Sequence, residues 1–243
     1  MFIFRLESQI SMDDFTEYLH CFLLMGQSNM AGRGDLSEVK PITDERIFMF
    51  RDNHWQLAVE PLHQDRPEAG VGPAMSFAST LLESHPDLKI GLIPCAVGAT
   101  SISQWLPGSD LYNRAVNTVR TAGVSLQGVL WHQGEYDAIK ISRVRMYRER
   151  ITLLIESIRR DLKLPQLPFI AGELGGFINA ESGFPFSSDI SAILYSLENV
   201  IPNYACVSAA GLIDNGDHLH FNAESQRTFG RRYARKYLQM WKG

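Results

Sequence analysis

Short apolar runs alternate along the chain with longer segments in which apolar residues recur every three or four positions. The short runs are almost continuously apolar and are followed by glycine or polar residues. This pattern is typical of strands that are buried on both faces of a sheet. We therefore predict six strands, at residues 21–25, 47–50, 90–95, 128–132, 169–172 and 205–208.

The segments between these runs predict helices. Residues 144–158 and 229–241 each place their apolar side chains on one helical face. Pro73 is expected to open a helix that runs towards Ser84, and Asp110 is expected to cap the next one. Strands and helices that alternate in this way predict an α/β fold, a three-layer α/β/α sandwich around a parallel sheet of about five strands.

Composition limits the class of protein without naming one. The 243 residues are 45% hydrophobic and 21% charged, which is ordinary for a globular protein, and the net charge of -4 gives no reason to expect a nucleic-acid partner. The three cysteines, Cys21, Cys95 and Cys206, lie in or beside apolar runs, so we expect reduced thiols in the core.

The first 19 residues have no clear pattern, and we divide the chain into this leader and one domain over residues 20–243. Met1–Leu6 is apolar, but Arg5 interrupts it and no secretory signal can be recognised. No apolar window approaches the length of a membrane span. We therefore expect a cytoplasmic protein with no membrane partner, and the sequence gives no indication of its oligomeric state.

In an open parallel sheet, ligands bind beyond the carboxyl ends of the strands, so the segments that follow the predicted strands are the ones to inspect. After the first strand, residues 26–32 read Gly-Gln-Ser-Asn-Met-Ala-Gly. Ser28 is well placed to project into such a crevice, although a lone serine in a turn is more often a capping residue. The motif is not a nucleophile elbow, because Met30 stands where that motif has glycine, and it lacks the lysine of a phosphate-binding loop.

Two further segments carry polar groups at the same edge. Gly98, after the third strand, is able to turn its backbone N–H into the crevice, and Trp105 forms a wall of the pocket or packs under the loop. After the fourth strand come Gln133, with an amide donor, and Glu135, with a carboxylate. Acidic residues in the first turn of a helix are a competing interpretation of Glu135 and Asp137.

The segment before the last helix contains an Asp/His pair. Asp217 and His220 are three residues apart, a separation at which the carboxylate reaches the Nδ1–H of the imidazole while Nε2 faces outward. That orientation is the one that the base of a serine hydrolase requires. His218 has a structural role in the simplest interpretation, and the Asp-His-Leu-His string is a weak zinc motif without another ligand source.

Taken together, these segments supply a nucleophile, hydrogen-bond donors for an oxyanion and a general base. Gly-Gln-Ser-Asn-Met, Pro-Cys-Ala-Val-Gly-Ala-Thr, Trp-His-Gln-Gly-Glu and Asp-x-x-His, in this order, resemble the four blocks of the SGNH-hydrolase superfamily. More narrowly they resemble its carbohydrate-esterase branch, which includes sialate O-acetylesterase-like and acetylxylan-esterase-like proteins. The resemblance runs from about Phe22 to Tyr237 and implies a flavodoxin-like sheet.

The resemblance also implies roles for individual residues. It implies Ser28 as nucleophile and His220 as general base, with Asp217 as the acidic partner and Glu135 as a second carboxylate. It implies an oxyanion hole formed by the backbone N–H of Ser28 and of Gly98 and by the side chain of Gln133. The chain departs from the usual Gly-Gly-Thr of this branch by having Ala99, and we expect the substrate to contact Gln27, Asn29 and Trp105.

From the resemblance we expect a serine esterase that removes O-acetyl groups from a small carbohydrate through an acetyl-serine intermediate, with no metal or organic cofactor. Three alternatives stay open at this point. They are an enzyme of the same superfamily that acts on other acyl esters, such as a lipase or thioesterase, a non-catalytic carbohydrate-binding protein on this scaffold, and a nucleotide-binding α/β domain.

Overall fold

The computed structural model of the protein describes residues 19–241. Apart from Leu19, the predicted leader lies outside the described residues. Within the described range the strands are β1 (Leu19–Gly26), β2 (Ile47–Arg51), β3 (His54–Leu57), β4 (Lys89–Pro94), β5 (Leu126–His132), β6 (Phe169–Gly172) and β7 (Tyr204–Val207).

Helices follow most of the strands. The α-helices are α1 (Ser28–Ala31), α2 (Ala74–Ser84), α3 (Asp110–Ala122), α4 (Ile141–Asp161), α5 (Ser187–Ser196) and α6 (Ala223–Met240). Short 3₁₀ turns lie at Leu36–Glu38, Ile102–Trp105, Asp137–Ile139 and Leu197–Asn199.

In the described part of the chain, seven strands form one sheet in the order β3-β2-β4-β1-β5-β6-β7. All neighbouring strands are parallel except β2 and β3, which form an antiparallel hairpin at one edge. The predicted α/β architecture is therefore confirmed, with a larger sheet than expected. All six predicted strands are present, and the additional one is β3.

The hairpin escaped prediction because β3 lacks a continuous apolar run. Its side chains are exposed or half-buried, as suits an antiparallel strand at an edge. Asp52 and Asn53 make the turn with positive φ angles of 53° and 60°. Two consecutive residues of this kind, in the left-handed conformation, are typical of the tight turn that joins two hairpin strands.

Helices cover both faces of the sheet, and each face has its own core. Alternate residues of β1 point in opposite directions, so that Leu23 packs with side chains of α3, α4 and α5, whereas Leu24 packs with side chains of α2 and α6. Helix α5 was not predicted from the sequence. Helix α3 was predicted to have Asp110 as its cap, but Ser109 occupies the capping position and Asp110 is the first helical residue.

The cysteines agree with the expectation of reduced thiols in the core. Cys21, Cys95 and Cys206 are buried free thiols. Among residues 19–241, no helix combines the length and the apolar character that a membrane span needs.

Helices α2 and α6 approach each other closely at Gly230. A Cβ atom at this position would lie 2.0 Å from the carbonyl oxygen of Pro73 and 2.1 Å from Oγ of Ser76. Because real side-chain atoms do not approach this closely, only glycine allows the two helices to pack at this distance.

We expect Gly230→Ala to lower the free energy of unfolding by up to about 2 kcal/mol. The added methyl group forces the helices apart at a cost of about 1–3 kcal/mol, and alanine regains about 1 kcal/mol inside a helix. Urea denaturation followed by circular dichroism measures the change. Gly176→Ala is the matched control, since no atom lies within 4 Å of the Cβ position there. Equal midpoints for the two variants would contradict the close packing.

Candidate active site

A cavity of about 380 Å³ opens at the carboxyl ends of the central strands. Ser28 after β1, Gly98 after β4 and Glu135 after β5 line it, together with His220 from the loop before α6. The chain adds β2, β3 and β4 on one side of β1 and then crosses to the other side for β5. The cavity thus lies where the strand order reverses, which is the expected ligand position in an open α/β sheet.

Gly26 determines how the chain leaves β1. It has φ 124°, and a Cβ atom there would lie 2.0 Å from the carbonyl oxygen of His132. The following N–H, of Gln27, donates to that same oxygen at 2.8 Å. This turn over the end of β5 places Ser28 at the first position of α1, where a backbone N–H has no acceptor within the helix.

Ser28, His220 and Asp217 form a continuous hydrogen-bonded chain. Nε2 of His220 lies 2.9 Å from Oγ of Ser28, and Nδ1 lies 2.6 Å from Oδ2 of Asp217. An ionised carboxylate only accepts hydrogen bonds, so the neutral imidazole carries its proton on Nδ1 and accepts the Ser28 hydroxyl proton at Nε2. The geometry therefore matches the orientation that the sequence predicted for these residues.

Asp217 is fixed by its own loop. Its Oδ1 accepts hydrogen bonds from the backbone N–H of His220 at 2.7 Å and of Leu219 at 2.8 Å. Partial burial raises the pKa of this carboxyl, but the hydrogen bonds from the backbone and ring of His220 and from Leu219 outweigh it, so that the pKa is lowered overall. Asp217 therefore stays ionised at neutral pH.

Glu135, the second carboxylate that the sequence offered, has other partners. Its side chain is 1% exposed, and its Oε1 accepts a hydrogen bond from Nδ2 of Asn29 at 2.7 Å and lies 3.4 Å from Nδ1 of His132. Burial raises its pKa, but the charge of His132 and the hydrogen bonds from His132 and Asn29 lower it overall. Among the described residues, Asp217 is the carboxylate that contacts the His220 ring.

These observations can be set against known proteins. The model of a family described as carbohydrate esterase, sialic acid-specific acetylesterase, matches residues 18–239. A probable carbohydrate esterase of Arabidopsis thaliana is 35% identical over an alignment 242 positions long; the alignment covers 89% of this chain and 89% of that protein.

The chain belongs to this carbohydrate-esterase family. An X-ray structure of an Arabidopsis thaliana protein superposes on this family member with a TM-score of 0.82 at 33% identity, covering 90% of this chain and 97% of the other. The structure of NanS has a TM-score of 0.76 at 20% identity, covering 93% of this chain and 98% of NanS. The resemblance noted in the sequence is thereby confirmed at the level of family and fold.

Two of the expected oxyanion donors already have acceptors in this carbohydrate esterase-family protein. The Gly98 N–H donates to Oδ2 of Asp65 at 2.7 Å. The side chain of Gln133 is fully buried, and its amide donates to the carbonyl oxygen of Thr100 at 2.9 Å and to Oδ2 of Asp137 at 2.7 Å. The expectation that Gln133 faces the substrate is corrected, because the buried Asp137 carboxylate requires this donor. Burial raises the pKa of Asp137, and the hydrogen bond from Gln133 offsets part of that effect.

Gln27 stands between Gln133 and the cavity. It lines the cavity directly, and its Oε1 lies 3.4 Å from Nε2 of Gln133, which donates towards it. The expectation that Gln27 is near the substrate is thus compatible with its position. The resemblance implied Gln133 as the oxyanion donor and Gln27 as a substrate contact; position alone does not separate the two glutamines, since both follow a predicted strand.

The other two expected substrate contacts are placed away from the cavity. Trp105 is fully buried, donates from Nε1 to Oγ1 of Thr100 at 3.0 Å and packs edge-to-face on Trp131. It therefore packs under the loop, which was the alternative interpretation. Asn29 is also fully buried and does not line the cavity; its amide donates to the Glu135 carboxylate and to the Leu219 carbonyl oxygen.

An ion pair that the sequence did not single out closes one side of the cavity. Nη2 of Arg33 lies 2.7 Å from Oδ2 of Asp65, and the two side chains are 5% and 2% exposed. Burial raises the pKa of Asp65, but the hydrogen bonds from Arg33 and from Gly98 lower it overall. The loop that carries Asp65 has no periodic pattern, so a sequence signal for this pair was lacking.

We expect Asp65→Asn to lower the free energy of unfolding at pH 7 by about 3–5 kcal/mol, because the Arg33 guanidinium stays buried without a charged partner. The folded pKa of Asp65 lies below its ordinary value. The contribution of the pair is therefore complete above about pH 4 and is lost as the pH falls through the folded pKa.

Urea denaturation at a series of pH values checks this, and the difference from the unchanged protein should shrink below about pH 4. Asp87→Asn on an exposed turn is the control and should change stability by less than about 0.5 kcal/mol. A constant difference at all pH values would show that the charge of Asp65 is not the cause.

Proposed function

We propose that this protein is a serine esterase that removes O-acetyl groups from carbohydrates, with Ser28 as its nucleophile. The observation that supports it most directly is the Ser28–His220–Asp217 hydrogen-bonded chain at the cavity of a carbohydrate-esterase family member. A serine hydroxyl needs such a base to become reactive, and the base needs a carboxylate that holds its tautomer.

In the first step, Oγ of Ser28 attacks the ester carbonyl carbon while Nε2 of His220 takes the hydroxyl proton. Asp217 stabilises the imidazolium that forms. As the tetrahedral intermediate collapses, the bond to the sugar oxygen breaks and His220 donates its Nε2 proton to that oxygen. The sugar leaves with a free hydroxyl, and the acetyl group remains as an ester on Ser28.

The second step repeats this sequence with water. His220 takes a proton from a water molecule, whose oxygen attacks the acetyl carbon. The bond to Oγ then breaks, and His220 returns the proton to Ser28, which releases acetate. The cycle conserves atoms and needs no electron donor or acceptor.

For the oxyanion we propose two donors, the backbone N–H of Ser28 and the side-chain amide of Gln27. The first begins a helix, and the second lines the cavity with its oxygen turned towards Gln133. Gln133 then acts indirectly, by holding the side chain of Gln27, because its own amide donates to Asp137. The Gly98 N–H becomes available only if a substrate displaces the Asp65 carboxylate.

The cavity walls suit a small acetylated sugar. Ile139, Phe184 and Leu219 provide apolar surface, while Arg66 and Glu68 provide charged groups at the same opening. Sugar rings present both apolar C–H faces and hydroxyl groups, and pockets with mostly apolar walls and few polar groups recognise such ligands. The family description names sialic acid, and we propose acetylated sugars as the substrate class.

We expect the protein to release acetate from one or more members of a panel of O-acetylated sialic acids, xylo-oligosaccharides and simple acetylated sugars. Ser28→Ala should abolish this turnover and also covalent labelling by a fluorophosphonate. Ser188→Ala, at an exposed serine elsewhere, is the control and should leave both unchanged. Turnover of Ser28→Ala near the level of the unchanged protein would refute the proposal.

The same assay separates the alternatives. Activity that falls steeply from acetyl to butyryl esters supports a deacetylase, and a preference for longer chains indicates a lipase or thioesterase. Sugar binding without labelling of Ser28 indicates a non-catalytic binding protein.

We further expect Gln27→Ala to lower kcat by a factor on the order of 10² to 10³, the usual loss for one oxyanion donor. Its unfolding midpoint should stay close to that of the unchanged protein. Gln133→Ala should lower stability as well as kcat, because the buried Asp137 carboxylate loses its side-chain donor and keeps only the Ile102 N–H. Gln64→Ala, at an exposed glutamine, controls for the substitution itself. An unchanged kcat of Gln27→Ala on p-nitrophenyl acetate would show that Gln27 is not an oxyanion donor.

A further inference from the structure

Asn29 follows the proposed nucleophile directly, yet its side chain is buried behind the residues that line the cavity. Both donors and the acceptor of its amide are used within the protein. Nδ2 donates to Oε1 of Glu135 at 2.7 Å and to the carbonyl oxygen of Leu219 at 3.1 Å, and Oδ1 accepts from the N–H of Phe221 at 3.1 Å. The side chain is fully buried, so water does not replace any of these bonds.

Two of the three bonds end on the residues on either side of His220. The Leu219 carbonyl and the Phe221 N–H belong to the same stretch of backbone, and the His220 ring lies between them and Ser28. The Asn29 amide thus holds the backbone on both sides of His220 in the sequence. The backbone of Asn29 is held in turn, because Nε2 of Gln226 donates to its carbonyl oxygen at 3.0 Å.

Glu135 determines which way the Asn29 amide is turned. An ionised carboxylate accepts and does not donate, so Nδ2 must face Glu135 and Oδ1 must face the Phe221 N–H. The opposite orientation would set two oxygens against each other at Glu135 and two N–H groups against each other at Phe221. The buried Glu135 carboxylate therefore allows only one orientation of the buried Asn29 amide.

We propose that Asn29 and Glu135 are positioning residues that set the distance between the His220 ring and the Ser28 hydroxyl. Asn29 ties the backbone around His220 to the residue next to Ser28, and Glu135 keeps the Asn29 amide in the required orientation. Glu135 acts through Asn29 rather than on the imidazole. This inference rests on the proposed function, because it assigns a role in the reaction that His220 and Ser28 carry out.

Kinetics of Asn29→Ala and Glu135→Ala test the proposal. Both variants should lower kcat by a factor on the order of 10², the usual consequence of displacing a reacting group by about 1 Å. KM should change little, because Asn29 does not line the cavity and the Glu135 side chain, at its wall, is only 1% exposed. The rate of fluorophosphonate labelling of Ser28 should fall by the same factor as kcat.

Glu135→Gln is the conservative variant, since its side-chain oxygen still accepts from Asn29, and it should recover most of the lost rate. Asn113→Ala, at an exposed position of α3, is the matched control for the asparagine substitution. If Asn29→Ala does not fold, the kcat and labelling rate of Glu135→Ala and Glu135→Gln test the proposal instead. A loss in Glu135→Ala that Glu135→Gln recovers supports it, and the absence of a loss in Glu135→Ala contradicts it.

Two results would overturn the inference. One is a folded Asn29→Ala or Glu135→Ala protein with kcat and labelling rate within about twofold of the unchanged protein. The other is a raised KM at constant kcat, which would make Asn29 a substrate contact. Either result leaves the proposed function intact as long as Ser28→Ala is inactive. Full turnover by Ser28→Ala would refute the proposed function instead.

Discussion

Parallel pairing of β1 with β4 on one side and β5 on the other brings Ser28, Gly98 and Glu135 together at the cavity. Parallel strands end at the same edge, so the residues that follow these three strands meet there without any attraction between them. The hydrophobic burial of both sheet faces, with Leu23 in one core and Leu24 in the other, fixes the register of β1. A slip by one residue would exchange the two faces, so the position of Ser28 is set by packing that lies well away from it.

The sheet was predictable because its strands are buried on both sides and therefore read as apolar runs. All six predicted strands are present, and their ends differ from the prediction by no more than about two residues. The additional strand, β3, differs because its side chains are exposed or half-buried and form no apolar run, whereas those of β7 at the other edge are buried. The positive φ angles of Asp52 and Asn53 show that the residues that indicate this hairpin lie in its turn and not in β3. Helix α5 was missed for a related reason, since only three of its residues are buried.

The sequence predicted the contact between Asp217 and His220, but not how deeply each of two similar glutamines is buried. Asp217 and His220 are neighbours in sequence, so their contact follows from local spacing. The choice between Gln27 and Gln133 depends on the depth of each side chain, which is decided by the buried Asp137 carboxylate. The same holds for Asn29, whose surroundings come from three segments far apart in the chain. Sequence spacing contains no information of this kind.

The hydrogen bond between Ser28 and His220 joins residues 192 positions apart. During synthesis the serine therefore leaves the ribosome long before the imidazole that contacts it. A chain interrupted between the two residues holds the Ser28 hydroxyl without this partner. The contact forms only when the segment before α6 docks beside the carboxyl end of β1.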